Sequence, residues 1–268
     1  MEENIYHYCP PETFDKIIKN NKIWYSDCTK MNDPSEYSLG YKSIKEIITE
    51  EYSYALPLLT EIAPENLGNT FDVLICSFSY NEDCLSLWRS YSKDGQGISI
   101  GVSQERLFVG NIVDRYCHKK DSVSGGTEIV PIIYDEVSFK EKIKEQLQHW
   151  KFPENEKEQR KKTRLAALRY EFIRLCSIFK SNYYKDEREV RSLIAIDHYT
   201  DGYKTKSRNG SYGETKYHEL DLGFSGISYI AKIVRGPKCN ISTNSIKKCL
   251  SEAGLKNIKI KDSKINYR

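Results

Sequence analysis

Apolar residues recur along this chain with two periods, and the switches between them mark most of its elements. Residues 4–8 (NIYHY) predict a short strand stopped by Pro10-Pro11, after which Phe14, Ile17 and Ile18 fall at helical spacing. Lys22 to Ser26 resumes as a strand, and Asp27 to Glu36 reads as a loop from its Asn, Asp and Pro content. Tyr37 to Leu59 predicts a helix broken near Pro57, Phe71 to Ser79 an apolar strand, and Asp83 to Tyr91 a short helix. Ile98 to Val102, Asn111 to Cys117 and Glu128 to Tyr134 predict three further strands. From Val137 to Tyr184 the period becomes helical: Ile143, Leu147 and Trp150 space one helix, and Leu165, Leu168, Phe172, Leu175 and Phe179 a second. The second is expected to bury its leucines and phenylalanines while Lys157, Arg160, Lys161 and Arg164 stay in water. Strand character returns at Glu187 to Ile196, Lys216 to Leu222 and Ile227 to Val234, followed by a helix from Thr243 to Ala253 and a last strand near Ile258 to Ile260. Asp201 to Glu214 is either a hairpin turn or a mobile loop. The economical architecture is α+β: one domain over 1–268 with a central mixed sheet and a helical insertion, 137–184, before the Glu187-Glu189 strand.

Composition narrows the class. Of 268 residues, 39% are hydrophobic and 12% aromatic, 20 of them Tyr, which is too much apolar surface for a disordered chain. Forty-one Lys and Arg against 38 Asp and Glu give a net charge of only +3, so non-specific attraction to nucleic acid has no strong electrostatic basis. No apolar run reaches the ~18 residues of a membrane span, and the first residues lack a basic, then apolar, export signal, so a soluble, unexported protein is expected. Eight scattered cysteines without a CxxC pair point to reduced thiols in a cytoplasm, and to neither a disulfide framework nor a metal site.

Four segments carry candidate chemistry. In Glu187-Arg188-Glu189-Val190-Arg191, strand alternation places Glu187, Glu189 and Arg191 on one face, where two carboxylates and a guanidinium can polarise a sugar hydroxyl or steady a developing positive charge. An exposed ladder of weak ion pairs is the plain alternative. As the charged group of a working site, Glu189 is expected to be partly solvated and to contribute little to stability, so that a large loss of stability on its replacement would favour a structural ion-pair network instead. Tyr6-His7-Tyr8 sets a polar ring inside an aromatic strand; His7 can meet a ligand, or be satisfied by backbone. Asn32, Asp33 and Glu36 belong to a tight polar turn, equally at home as structural punctuation. Ser77 ends an apolar strand, and Trp88 and Tyr91 follow on a helix as either a ring-stacking platform or core. Dinucleotide-binding, phosphate-loop, zinc-protease and nucleophile-elbow motifs are missing.

In order and spacing these segments, with Gly97, Ile233-Val234-Arg235-Gly236-Pro237 and the ending Asp262 to Arg268, resemble over nearly the whole chain the bacterial family catalogued as domain of unknown function 2971. That family name implies no activity. A strand with His, a helix, a second strand with Ser or Tyr and a later strand with Glu also looks like the ordering in ADP-ribosyltransferases. That likeness implies a bacterial toxin or phage-defence setting and NAD as substrate. It places His7 against a ribose, Tyr25 or Ser26 near the nicotinamide, Glu189 as the catalytic acid and Glu187 as the group that orients or deprotonates the acceptor. Tyr8, Trp88 and Tyr91 then join the ligand contacts with Arg191, and nucleic acid becomes a candidate acceptor. Departures from that pattern are the residue after His7 and the long helical stretch before Glu187. Two other readings stand beside this one: a nucleotide- or protein-binding sensor without catalysis, and a nucleic-acid-acting protein using Lys161, Lys162 and Arg164.

Overall fold

The computed structural model describes residues 3–31, 35–69, 71–118, 127–198, 205–210 and 213–267. Strand β1 (Asn4–Cys9) runs into helix α1 (Pro11–Asn20), whose proline sits in the first turn, where no backbone N–H is needed. Asn21 ends α1 in the left-handed conformation (φ 50°) and sends the chain back as β2 (Lys22–Asp27). Helix α2 (Glu36–Glu51) is followed by α3 (Leu56–Glu61), so the break expected near Pro57 comes before it and Pro57 opens the next helix. Then come β3 (Phe71–Ser79), α4 (Leu85–Tyr91) and β4 (Ile98–Ser103).

Helix α5 (Gln104–His118) replaces the strand expected at 111–117. Leu107 and Asn111, one turn apart, are both fully buried, and that helical pairing overrides the local strand pattern. Strand β5 (Thr127–Pro131) is shorter than expected, and α6 (Glu136–His149) and α7 (Glu158–Ser177) fill the connection to β6 (Glu189–Asp197). Leu168, Phe172 and Phe179 are buried and Leu165 is half-buried, whereas Lys157 and Arg160 are exposed and Lys161 and Arg164 partly so. Gly40 of α2 lets the two helices touch, since a Cβ there would lie 2.8 Å from the Cys176 Cα on α7. The hairpin β7 (Lys206–Gly210) and β8 (Gly213–Asp221) answers the turn-or-loop question, apart from 201–204 and 211–212, which lie outside the described residues. The small ribbon β9 (Gly223–Phe224) and β10 (Ile227–Ser228), then β11 (Ile230–Arg235), α8 (Thr243–Glu252) and β12 (Lys259–Asp262), complete the chain.

The expected α+β class with a mixed sheet is what forms. Among the described residues the strand order is β12-β11-β4-β1-β3-β2-β8-β7, with β6 on β3 and β5 on β6; β11 and β12 run parallel and the other pairs antiparallel. One apolar cluster joins α1, α5 and α8 to one face, and another joins α2, α3, α6 and α7 to the opposite face. No helix among the described residues is long and apolar enough to cross a membrane.

The pairing of β3 matters most for the site. Strand β6 occupies one edge of β3 from end to end, Phe71↔Asp197 through Ser79↔Glu189. Strands β1 and β2 must therefore share the other edge, where β1 pairs only at Tyr6↔Ser79 and β2 only at Ser26↔Ile75 and Asp27↔Leu74. The sheet forks between them, and Cys76, Ser77 and Phe78 lie at the fork.

Candidate functional site

A cleft of about 270 Å³ opens at this fork. Alternation along the strands directs Tyr6, Tyr8, Ser26, Ser77, Glu189 and Arg191 to the same face, and all of them line it. Glu36 enters from the first residue of α2, Tyr91 from the end of α4, and Lys180 and Glu187 from the connection between α7 and β6. His7 belongs to the opposite face and reaches in through the gap, its Nδ1 donating to the Ser77 carbonyl at 3.0 Å. A carbonyl only accepts, so this bond fixes the proton on Nδ1 and leaves Nε2 as an acceptor. Burial pushes the His7 pKa below its ordinary 6.5, against the opposing pull of the Ser77 carbonyl, so the ring is neutral at pH 7.

The floor is a buried charge cluster. Lys180 Nζ lies 2.7 Å from Glu187 Oε2, 3.1 Å from Glu189 Oε2 and 3.3 Å from Glu36 Oε1. Arg191 donates through Nε to Glu189 Oε1 at 2.7 Å, through Nη2 to Glu36, and through Nη1 to the Ser177 carbonyl at 2.7 Å. Ser77 Oγ adds a bond to Glu189 Oε1 at 2.7 Å, and the Tyr91 hydroxyl donates to Glu187 Oε1 at 3.0 Å. Burial opposes charge on Glu189, but Arg191 and Lys180 overcome it and hold its pKa at about 2. The same carboxylates raise the Lys180 and Arg191 pKa values against their own burial, so both remain cations.

Several expectations change here. Glu187 does not share a strand face with Glu189: Arg188 is left-handed (φ 43°), β6 begins only at Glu189, and a turn over Asn182–Glu187 delivers Glu187 to the cleft. The ladder is not exposed, because Glu189 is 6% and Arg191 2% accessible. Tyr25 is absent from the cleft: it points to the other face, where its hydroxyl donates to Asn111 Oδ1 at 3.0 Å and lies 2.8 Å from Ser192 Oγ. Trp88 is fully buried behind the wall, edge-on to Tyr8 with ring centroids 4.7 Å apart, and donates from Nε1 to Asp83 at 2.7 Å. Its role is to brace Tyr8. Asn32 and Asp33 lie outside the described residues. Lys161 donates to the Glu154 carbonyl and Arg164 to that of Lys151, which ties both cations to the connection preceding α7.

Sequence reasoning missed Lys180, Trp24, Lys30 and Arg208, which also line the cleft. Trp24 carried a signal, since alternation allows only one of Trp24 and Tyr25 to share the face of Ser26. Lys180 carried none.

The family model described as "Protein of unknown function (DUF2971)" matches residues 87–192, and no curated protein or solved structure matches the chain. The match is thus narrower than the near full-length resemblance expected. It takes in Tyr91, Lys180, Glu187, Glu189 and Arg191, whereas the strands that bring His7, Trp24 and Ser77 fall outside it.

Proposed function

We propose that the cleft binds NAD or a related nucleotide and breaks its nicotinamide–ribose bond, transferring ADP-ribose to an acceptor or to water. The observation that carries this reading is the meeting, at the fork, of a neutral His7 with Nε2 as acceptor and a floor of ionised carboxylate, between aromatic walls. In such a reaction the C–N bond breaks with its electron pair leaving on nicotinamide, and the ribose passes through an oxocarbenium-like cation. A fixed negative charge stabilises that cation, and Glu189 supplies one that is ionised across the physiological range. In this reading Glu187 takes the proton of the attacking hydroxyl, a role supported by its contacts with Tyr91 and Lys180 and by its having the most accessible side chain of the three acids. His7 accepts a hydrogen bond from a ribose hydroxyl.

A sensor that binds nucleotide without chemistry is the second reading. It is favoured by Glu189 itself, both of whose oxygens already accept bonds from Ser77, Arg191 and Lys180. Incubation of the purified chain with NAD, with and without nucleic acid, separates the two by mass spectrometry. Release of nicotinamide that falls at least ~100-fold in Glu187→Gln, about 2.7 kcal/mol of transition-state stabilisation, supports the enzyme. Binding without release supports the sensor.

A further inference from the structure

The fork opens on both faces of the sheet. Behind the carboxylate cleft lies a second cavity of about 650 Å³, between α1 and the open edge of β2. His7, Trp24, Ser26 and Arg208 line both spaces, so the two meet at the gap. Their electrostatics differ. The charged lining of the first is Glu36, Glu187 and Glu189, gathered with Lys180 and Arg191 on its floor, together with Lys30 and Arg208, whereas that of the second is Lys16, Lys22 and Arg208 against Glu219 alone. At the junction Arg208 lies over the Trp24 ring, 5.3 Å from its centroid, and donates to Ser26 Oγ at 3.2 Å. Trp24 is 43% exposed and packs at a 31° tilt against Tyr217, ring centroids 4.5 Å apart, which presents a large π surface beside a guanidinium.

We infer that the two cavities form one groove for a pyrophosphate-bridged dinucleotide. Its ribosyl-nicotinamide half occupies the carboxylate cleft, its pyrophosphate crosses the fork beside Arg208, and its second nucleoside enters the α1 cavity near Lys16 and Lys22. Three physical points converge on this ligand class. At about 270 Å³ the first cleft falls just short of the roughly 300–1,000 Å³ usual for a small-molecule site, while the second extends it well into that range. Carboxylates gathered on the floor of the first cavity, with Arg208 at the junction and an excess of cations in the second, suit a ligand whose sugar end develops positive charge and whose middle is anionic. An accessible indole at the junction offers a stacking face for a flat heterocycle. The inference rests on the proposed function for the identity of the first half only.

The test compares binding of NAD, nicotinamide mononucleotide and ADP-ribose to the full chain, with Lys16→Glu as the variant. Lys16 is exposed on α1 and lines only the second cavity, so folding is expected to be unchanged, which circular dichroism verifies. The expected result is that Lys16→Glu weakens NAD and ADP-ribose by about 10-fold and leaves the mononucleotide unchanged. Equal effects on all three ligands, or none, overturn the groove. An effect confined to a single-stranded oligonucleotide also overturns it and assigns the second cavity to a polymer backbone, and no binding of any of the three does the same. Nicotinamide release is scored separately on the unaltered chain. Release with NAD binding insensitive to Lys16→Glu sinks the groove alone, whereas charge-sensitive ADP-ribose binding without release sinks the catalytic reading alone.

Discussion

Replacing Glu189 with Gln preserves the size of a side chain that is 6% exposed and removes one of three buried carboxylates that face Lys180 and Arg191. The surviving cluster is balanced, two acids against two cations, which softens the loss. The amide nevertheless turns one of its two ends from acceptor to donor, so it must oppose either Lys180, or Ser77 and Arg191. The magnitude follows from titration: a carboxyl moved from 4.5 to about 2 contributes roughly 3 kcal/mol at 1.36 kcal/mol per pH unit. That agrees with the ~3–5 kcal/mol typical of breaking a buried pair, and corresponds to a Tm loss of roughly 6–12 °C. The partly solvated Glu189 expected from the sequence would give almost no change instead. Because the folded pKa is depressed, the contribution is complete above 4.5 and is lost as pH falls from 4.5 toward 2, where the unfolded chain takes up the proton first. Urea denaturation of wild type and Glu189→Gln across this range is the assay. A gap under about 1 kcal/mol at neutral pH, or one that fails to narrow on acidification, refutes the reasoning.

Gly40→Ala should push α2 from α7, because its Cβ meets Cys176 backbone at 2.8 Å; a loss of about 1–3 kcal/mol is expected in thermal melts, together with weaker ligand binding as Glu36 shifts. His7 should titrate below 6.5 by nitrogen NMR and show the Nδ1–H tautomer above its pKa; stability from this ring is then present above 6.5 and declines as pH falls below it, and titration at or above 6.5 would contradict the burial argument. Trp88→Phe should cost about 1–3 kcal/mol by leaving Asp83 short of one donor. Since Asp83 also accepts from Ser263 Oγ and Lys264 N–H, both at 2.7 Å, amide exchange should quicken near residues 263–265, and unaltered exchange there would count against that link.

Elements set by local patterns were legible in the sequence. Strand β3 follows from an unbroken apolar run and α1 from Pro11 with Phe14, Ile17 and Ile18. Asn111 to Cys117 misled because Asn111 is a polar residue that a helix buries beside the sheet, where it meets Tyr25 and Ser192. The site residues on β1, β3 and β6 were recognisable by type, yet what unites them is register over long separations, such as Tyr6 with Ser79 and Ser77 with Arg191. No local pattern encodes that β1 and β2 will part around residues 76–78. The left-handed Arg188 was equally hidden, since an arginine there carries none of the conformational signal of a glycine or asparagine.

Stability alone does not account for this arrangement. Burying three carboxylates with two cations forfeits hydration that the ion pairs only partly restore, and apolar side chains of similar volume would hold the same space about as well. The fork adds a second cost, because β1 and β2 give up the ladder bonds with the middle of β3 that a continuous sheet would make, and the Ser77 carbonyl turns to a histidine ring instead. Both costs fall at the same place, where the chain's mixed-sign cluster lines one cavity and a second cavity shares His7, Trp24, Ser26 and Arg208 with it. Departures from good packing that coincide in this way are what the proposed binding site requires, since each creates what a ligand would need: fixed charge, an unspent acceptor on His7 Nε2, and room.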